Sequence, residues 1–245
     1  MHRFYYEHAD FKHKTISLVD AHEVHHIKDV LRLKKGALIR VFNAEQQEAE
    51  AVIERVEEAC IQLRISRIFE APQGKGARII LACAVPKRAK FEFIIEKCTE
   101  LGVDEIIPLK TARTEVVFSK EKLLAKQDRF QKVAVNAAKQ SGRRVVPRVW
   151  PMTSFEQVLG HVDPAGVALI PSLNGTPRHI RDVLSERKAT GPVLILIGPE
   201  GDFTPDEVTL AVKANCVPVS LGSTVLKVDT AAISTVALCR FFLYN

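Results

Sequence analysis

Two glycine turns in the C-terminal third of the chain have the residue types and spacing to hold a small ligand through bare main chain. The first lies in Val193 to Glu207, VLILIGPEGDFTPDE, an aliphatic run of the buried-strand kind, a Gly-Pro-Glu-Gly turn and a helix start. Thr204 fits the N-cap, Pro205 the first helical position and Glu207 the third. That is a capping box, in which hydroxyl and carboxylate satisfy main-chain donors the helix leaves orphaned. Gly198 and Gly201 put no side chain between ligand and main chain, and the turn falls at the carboxyl end of a strand, where open α/β sheets bind ligands. A tight structural turn uses the same residues, so the second loop matters. Val217 to Ala232, VPVSLGSTVLKVDTAA, repeats the arrangement with a short strand, a turn at Gly222 and a helix start rich in small residues. It carries two ionisable groups. These are Lys227 and Asp229, and Asp229 could cap the helix that follows.

The elements that would position these loops follow from periodicity. Strand-like segments run from His2 to Tyr6, Thr15 to Leu18, Ala37 to Phe42, Glu48 to Val56 and Cys60 to Ile68, the last alternating Ile61, Leu63 and Ile65 with Gln62, Arg64 and Ser66. One helix, Ala21 to Leu33, interrupts them, and the pattern suggests a small β-barrel. Pro72, Gly74 and Gly76 then mark a linker from Glu70 to Gly76. Beyond it strands alternate with helices: Arg78 to Val85, a helix, Glu105 to Leu109, a helix from Glu121 to Gln140, Val167 to Ile170, a helix after Pro177, Val193 to Ile197, a helix, Val217 to Leu221 and a final helix. This alternation predicts a parallel sheet covered by helices. In the first of those helices Phe91, Ile94, Ile95, Cys98 and Leu101 form one apolar stripe that Gly102 brings to a stop.

Charge is distributed unevenly. Lys and Arg exceed Asp and Glu by eight between residues 76 and 150, balance them over 1 to 75 and fall short by two over 151 to 245. A concentrated positive block attracts a polyanion, because each neutralised phosphate releases counterions; a solvated helix face is the plainer account. Lys87, Arg88 and Lys90 stand at a helix N-terminus, against its dipole, and a bound anion would offset that cost. Ser141 to Val145, with Arg143 and Arg144, could clamp a phosphate or simply end a helix. Aliphatic runs such as Val193 to Ile197 fall far short of the roughly 20 apolar residues of a membrane span. The polar N-terminus lacks a secretory signal, which makes the cytoplasm the expected location. Five scattered cysteines without a CxxC pair read as reduced packing residues. His22, His25 and His26 lie on one expected helix without an HExxH or a third ligand cluster, so no metal is expected.

The two loop motifs in this order resemble the C-terminal half of the SPOUT methyltransferases, and the RsmE branch in particular. That family also carries counterparts to His25–Leu33 (HHIKDVLRL), Glu96–Leu109 (EKCTELGVDEIIPL) and Gln140–Arg143 (QSGR), so the resemblance spans nearly the whole chain. It implies an α/β protein with an N-terminal PUA-like β-barrel over residues 1–72 that helps hold RNA. Residues 73–245 would form a SPOUT methyltransferase domain, its last segments threaded into a trefoil knot through which the protein forms a homodimer. The implied activity is methylation of N3 of a uridine in 16S ribosomal RNA of the small subunit. The implied cofactor is S-adenosyl-L-methionine, with contacts at Leu173, Ile197, Gly198, Glu200, Gly201, Leu221, Gly222 and Leu226. RNA contacts would fall on Arg3, Arg32, Lys87, Arg88, Lys90, Arg113 and Arg143. N3 of uracil carries a proton that must leave, and on this resemblance Lys227 and Asp229 are the catalytic candidates, Asp229 to orient or remove the proton and Lys227 to stabilise the developing uracil anion. The family pattern has arginine at Lys227, glutamate at Asp229, arginine at Thr224 and glycine at Asp202.

Other classes stay open. A nicotinamide- or nucleotide-binding enzyme would need GxGxxG or GxxxxGK[ST], and neither is present. An RNA-binding homologue with weakened or lost activity, or a SPOUT enzyme acting on another RNA nucleotide, is separated by assay alone. The positive block generates a first prediction. RNA affinity should fall steeply with salt, and the triple charge reversal Lys87→Glu, Arg88→Glu, Lys90→Glu should flatten the log–log salt slope by about 1 for each phosphate no longer neutralised. Titrations across a salt series check this; a wild-type slope would make that helix start a solvated face.

Overall fold

In the computed structural model, which describes residues 1–69, 76–86, 90–114, 120–186 and 191–243, the chain divides into two units. Met1–Gly74 with Ala138–Val146 form the first, Lys75–Ala137 with Pro147–Asn245 the second. The expected linker from Glu70 and the boundary between residues 72 and 73 lie outside the described residues, Gly76 excepted. Lys87 and Arg88 lie outside them too.

The first unit contains β1 (Arg3–Tyr5), β2 (Thr15–Leu18), α1 (Ala21–His25), β3 (Leu38–Phe42), β4 (Glu48–Val56) and β5 (Ile61–Phe69). The strands form one five-stranded sheet in the order β1-β3-β4-β5-β2. Period-two patterning does what it should at the start of β5, where Ile61 and Leu63 are buried between more exposed neighbours. Phe4, Ile16, Leu18, Ile39, Val41 and Ile53 complete this core. The helix expected through Leu33 is shorter. Asp20 caps it by accepting from the Glu23 amide at 2.9 Å, but after His25 the turns widen into a π-helix over His26–Val30. Arg32, at φ 51°, then turns the chain away.

Residues 138–146 are tied to this unit by buried charge. Glu48, 3% exposed, accepts from Arg3 Nε at 2.9 Å and from Arg144 Nε at 3.0 Å, with Arg40 Nη1 at 3.9 Å. Arg3 also donates to the carbonyls of Ala138, Lys139 and Arg143. The Lys139 ammonium reaches both oxygens of buried Glu23 at 2.7 and 2.9 Å.

The second unit comprises β6 (Ile79–Ala84), α2 (Lys90–Glu100), β7 (Glu105–Lys110), most of α3 (Lys120–Ser141), β8 (Arg148–Val149), β9 (Thr153–Ser154), α4 (Phe155–Leu159), β10 (Val167–Pro171), β11 (Arg178–His179), α5 (Ile180–Ser185), β12 (Val193–Ile197), α6 (Pro205–Lys213), β13 (Val217–Ser220) and α7 (Val228–Leu243). Its sheet runs β11-β13-β10-β12-β6-β7-β8, with β9 also on β7, and every pairing is parallel. Alternate residues serve opposite layers. Ile79, Leu81, Ile195 and Ile197 join Ile94, Ile95, Val183, Val236 and Cys239 on one face. Ile80, Ala82, Leu194 and Leu196 join Phe155, Val158, Phe203 and Ala211 on the other. This is the two-sided burial that a parallel sheet requires. Gly102 ends α2 at φ +98°, and an added Cβ there would lie 3.0 Å from the Arg240 guanidinium carbon. The sequence reading missed β8, β9, β11 and α4, pieces too short to display a period; α4 is set by a Ser154–Gln157 capping box.

The five cysteines are free thiols. Burial holds Cys83 well above its ordinary value and pushes Cys98 and Cys239 up to about 12. Among the described residues no helix is long and apolar enough to cross a membrane, and no group of three or more His, Cys, Asp or Glu could hold a metal. His25 instead pairs with Asp29 at 2.8 Å.

Glu48 generates the second prediction. Glu48→Ala leaves largely buried guanidinium groups facing one another without a counter-charge and should cost about 3 kcal/mol. Urea unfolding measures it, and a change below about 1 kcal/mol would make the cluster incidental.

Candidate functional site

Three adjacent strands of the parallel sheet, β13, β10 and β12, end side by side, and the loops after them enclose a cavity of about 250 Å³. The position follows from topology, since parallel strands deliver all their following loops to one sheet edge. Of the residues expected to hold a cofactor, Leu173, Ile197, Gly198, Glu200, Leu221, Gly222 and Leu226 line this cavity. Gly201 does not. A Cβ added there would approach Arg113 Cδ at 3.5 Å, and its carbonyl accepts from Arg113 Nη1.

Each loop is braced. After β12, the Asp202 amide donates to the Pro199 carbonyl at 3.0 Å, closing a turn over Pro-Glu-Gly-Asp. The expected capping box is present at Thr204, Pro205 and Glu207. Glu207, 6% exposed, accepts from the Thr204 amide with one oxygen and from the Ala112 amide with the other, both at 2.8 Å. One carboxylate thus starts α6 and anchors the segment after β7. At Gly198 an added Cβ would sit 3.1 Å from the Phe203 ring, so the absence of a side chain lets Phe203 close the turn from below. At Gly222, φ +128°, a Cβ would meet nothing within 4 Å, which leaves open space on the cavity side of the main chain.

The two catalytic candidates are placed differently. Lys227 is exposed and lines the cavity, and its carbonyl accepts from the Ala231 amide at 2.8 Å, making it the N-cap residue of α7. Asp229 is half-buried and lies within the first turn of α7, not at its cap; its Oδ1 accepts from the Thr230 amide at 3.1 Å. Asp229 is not among the cavity-lining residues. The α7 N-terminus and the Lys227 ammonium together make the mouth favourable to an anion, while Glu200 and Asp202 supply negative charge on the β12 side. Apolar walls from Leu173, Leu221, Val225 and Leu226, open main chain at Gly222 and paired carboxylates suit a flat, partly cationic organic molecule.

The expected RNA contacts divide. Arg32 is exposed, whereas Arg3 spends its guanidinium on Glu48 and three carbonyls and is 11% exposed. Arg143 is half-buried and its carbonyl accepts from Arg3. Arg113, exposed, donates to the carbonyls of Gly201 and Phe203, so it braces the first glycine loop. Lys90 begins α2, and Lys87 and Arg88 lie outside the described residues. The sequence reading missed Ser172 and Asn174, because their contribution is a tertiary bond to Asp202 with no local signature.

The family model described as RNA methyltransferase domain matches residues 73–240, and that described as RNA methyltransferase PUA domain matches residues 19–65. The chain is 30% identical over 219 residues to ribosomal RNA small subunit methyltransferase E of Bacillus subtilis, covering 88% of this chain and 86% of that protein. It is 33% identical over 229 residues to the protein of that name from Synechocystis, covering 92% and 72%. The crystal structure of ribosomal RNA small subunit methyltransferase E from Neisseria gonorrhoeae bound to S-adenosyl methionine superposes with a TM-score of 0.89 at 26% identity, covering 99% and 98%. A Legionella pneumophila putative methyltransferase with bound S-adenosylmethionine gives 0.86 at 28% identity, covering 97% and 96%.

Glu207 generates the third prediction. Glu207→Ala removes two charge-assisted bonds and strands a main-chain donor, so it should destabilise by about 3 kcal/mol. It should also accelerate hydrogen exchange at the Ala112 and Thr204 amides; unchanged exchange at Ala112 would show that this anchor is not formed in solution.

Proposed function

The chain belongs to the ribosomal RNA small subunit methyltransferase E family, and on that premise we propose that it methylates N3 of a uridine in 16S ribosomal RNA using S-adenosyl-L-methionine. One observation carries the reading: the cavity bounded by the loops after β10, β12 and β13, which gathers seven of the eight residues expected to contact the cofactor. The donor set fits that molecule, with apolar leucines for its purine and the Glu200 carboxylate for its cationic end. When bound it supplies an electrophilic methyl group.

The chain's own residues supply the rest. Uracil N3 bears a proton that must leave before or during methyl transfer, and Asp229 takes or orients it. Lys227, at the N-cap of α7, stabilises the uracil anion with its ammonium and with the helix N-terminus behind it. Arg32 and Arg143 in the first unit, with Lys87, Arg88, Lys90 and Arg113 in the second, supply cations for the RNA backbone, and Arg113 does so while bracing the first glycine loop. The matching PUA model supports a PUA-like barrel for residues 1–72, and family membership supports a knotted C-terminal segment, a homodimer formed through it and a cytoplasmic small-subunit substrate.

The deciding experiment is methyl transfer to small ribosomal subunits with mapping of the modified base. Modification at N3 of a uridine bears the reading out; binding of RNA without transfer would make the chain an inactive homologue. Within that assay Asp229→Asn should lower kcat by about 100-fold or more with little change in either ligand's affinity, and the residual rate should climb with pH as uracil ionises unaided. Lys227→Ala should lose rate at every pH, because a cation stabilises the anion however it arises. Normal turnover in Asp229→Asn would place the base elsewhere.

A further inference from the structure

Asp202 combines two properties that a simple turn residue does not need. Its main chain is left-handed, at φ 60°, where glycine sits most readily and where a side chain is tolerated chiefly for Asn and Asp. Its Oδ2 gathers three donors from the neighbouring loop: the Leu173 amide at 2.8 Å, Asn174 Nδ2 at 3.1 Å and the Ser172 hydroxyl at 3.2 Å. Asn174 Nδ2 also donates to the Phe203 carbonyl at 3.1 Å, so that amide bridges the side chain and main chain of the first glycine loop. Ser172 is buried and its hydroxyl accepts from the Asn174 amide at 3.0 Å, which stiffens the same loop from within.

Ser172 and Leu173, after β10, and Gly198 to Glu200, after β12, line neighbouring parts of the cavity, and Asp202 lines it too. The carboxylate therefore fastens the loop after β12 to the loop after β10. We propose that Asp202 is a positioning residue for S-adenosylmethionine: its carboxylate clamps the Leu173 loop to the Gly-Pro-Glu-Gly turn and holds the cofactor cavity at its working width. This rests on the cofactor reading above. A loop tied before the ligand arrives loses less conformational freedom on binding, so the effect falls on cofactor affinity.

Two substitutions separate the clamp from the backbone that carries it. Asp202→Gly removes the carboxylate and eases the left-handed main chain, so the fold is retained; Asp202→Asn keeps both an acceptor oxygen and tolerance of that conformation. Calorimetry with S-adenosylmethionine should show Asp202→Gly binding about 10-fold more weakly, as loss of hydrogen bonds to a charged group implies, and Asp202→Asn within about threefold of wild type. In the transfer assay the loss should raise KM for the cofactor more than it lowers kcat, with the urea midpoint held. Asn174→Ala alone should weaken binding by about threefold and cost less than that on top of Asp202→Gly, because both remove the Asn174–Asp202 bond and Asn174→Ala alone removes the one to the Phe203 carbonyl. Wild-type affinity in Asp202→Gly overturns the proposal. So does an Asp202→Asn as weak as Asp202→Gly, which would make charge and not the tie responsible, and so does full additivity with Asn174→Ala. Failure of the wild-type protein to bind S-adenosylmethionine is a different result, and it overturns the cofactor reading on which this one stands.

Discussion

A strand buried on both faces has no access to water, so its amides and carbonyls must find partners on both edges. β12 meets that demand by pairing with β10 on one side and β6 on the other, every one of its five residues being buried. The requirement fixes where the strand ends, and with it the height of the first glycine loop. Because β10 pairs with β13 on its far edge, the same constraint sets the loops on either side of the cavity. The site is a consequence of parallel pairing carried to the strand ends.

Bare loops at a sheet edge would still be free to move, and the molecule brackets them with side chains. Glu207 holds the start of α6 and the Ala112 amide, Arg113 holds the Gly201 and Phe203 carbonyls, and Asp202 holds the Ser172–Asn174 segment. These bonds join three separate stretches of chain, residues 112–113, 172–174 and 201–207. Charge-assisted bonds of this kind are stronger than neutral ones, which suits a wall that must keep its shape against an exposed mouth. The same need accounts for an aspartate in a left-handed position at residue 202, since glycine would relieve the backbone and lose the tie.

In the first unit electrostatics plays a structural part. Glu48 and Glu23 are almost fully buried and each is met by a cation, so residues 138–146 join this unit through ion pairs as well as packing. Arg3 shows the consequence for reading charge from sequence. A surplus of Lys and Arg attracts polyanions only through the cations left facing water, and the Arg3 guanidinium is committed to the interior.

The sequence by itself determined the parts that depend on local pattern. Short strand-like segments located the five strands of the first unit, the last of them by alternation, aliphatic runs located β6, β10 and β12, the stripe from Phe91 to Leu101 located α2, and Thr204, Pro205 and Glu207 marked the start of α6, because each of these signals is carried by neighbours along the chain. The paired glycine loops could be named for the same reason. Tertiary structure alone decided the rest: that Gly201 turns toward Arg113, that Arg3 is spent on Glu48, that Asp229 sits inside the first turn of α7 with Lys227 at the cap, and that Asp202 clasps a loop some 30 residues earlier in the chain. A hydrogen bond across such a separation leaves no periodicity to read. It exists only once parallel strand pairing has brought the two loops to the same edge of the sheet.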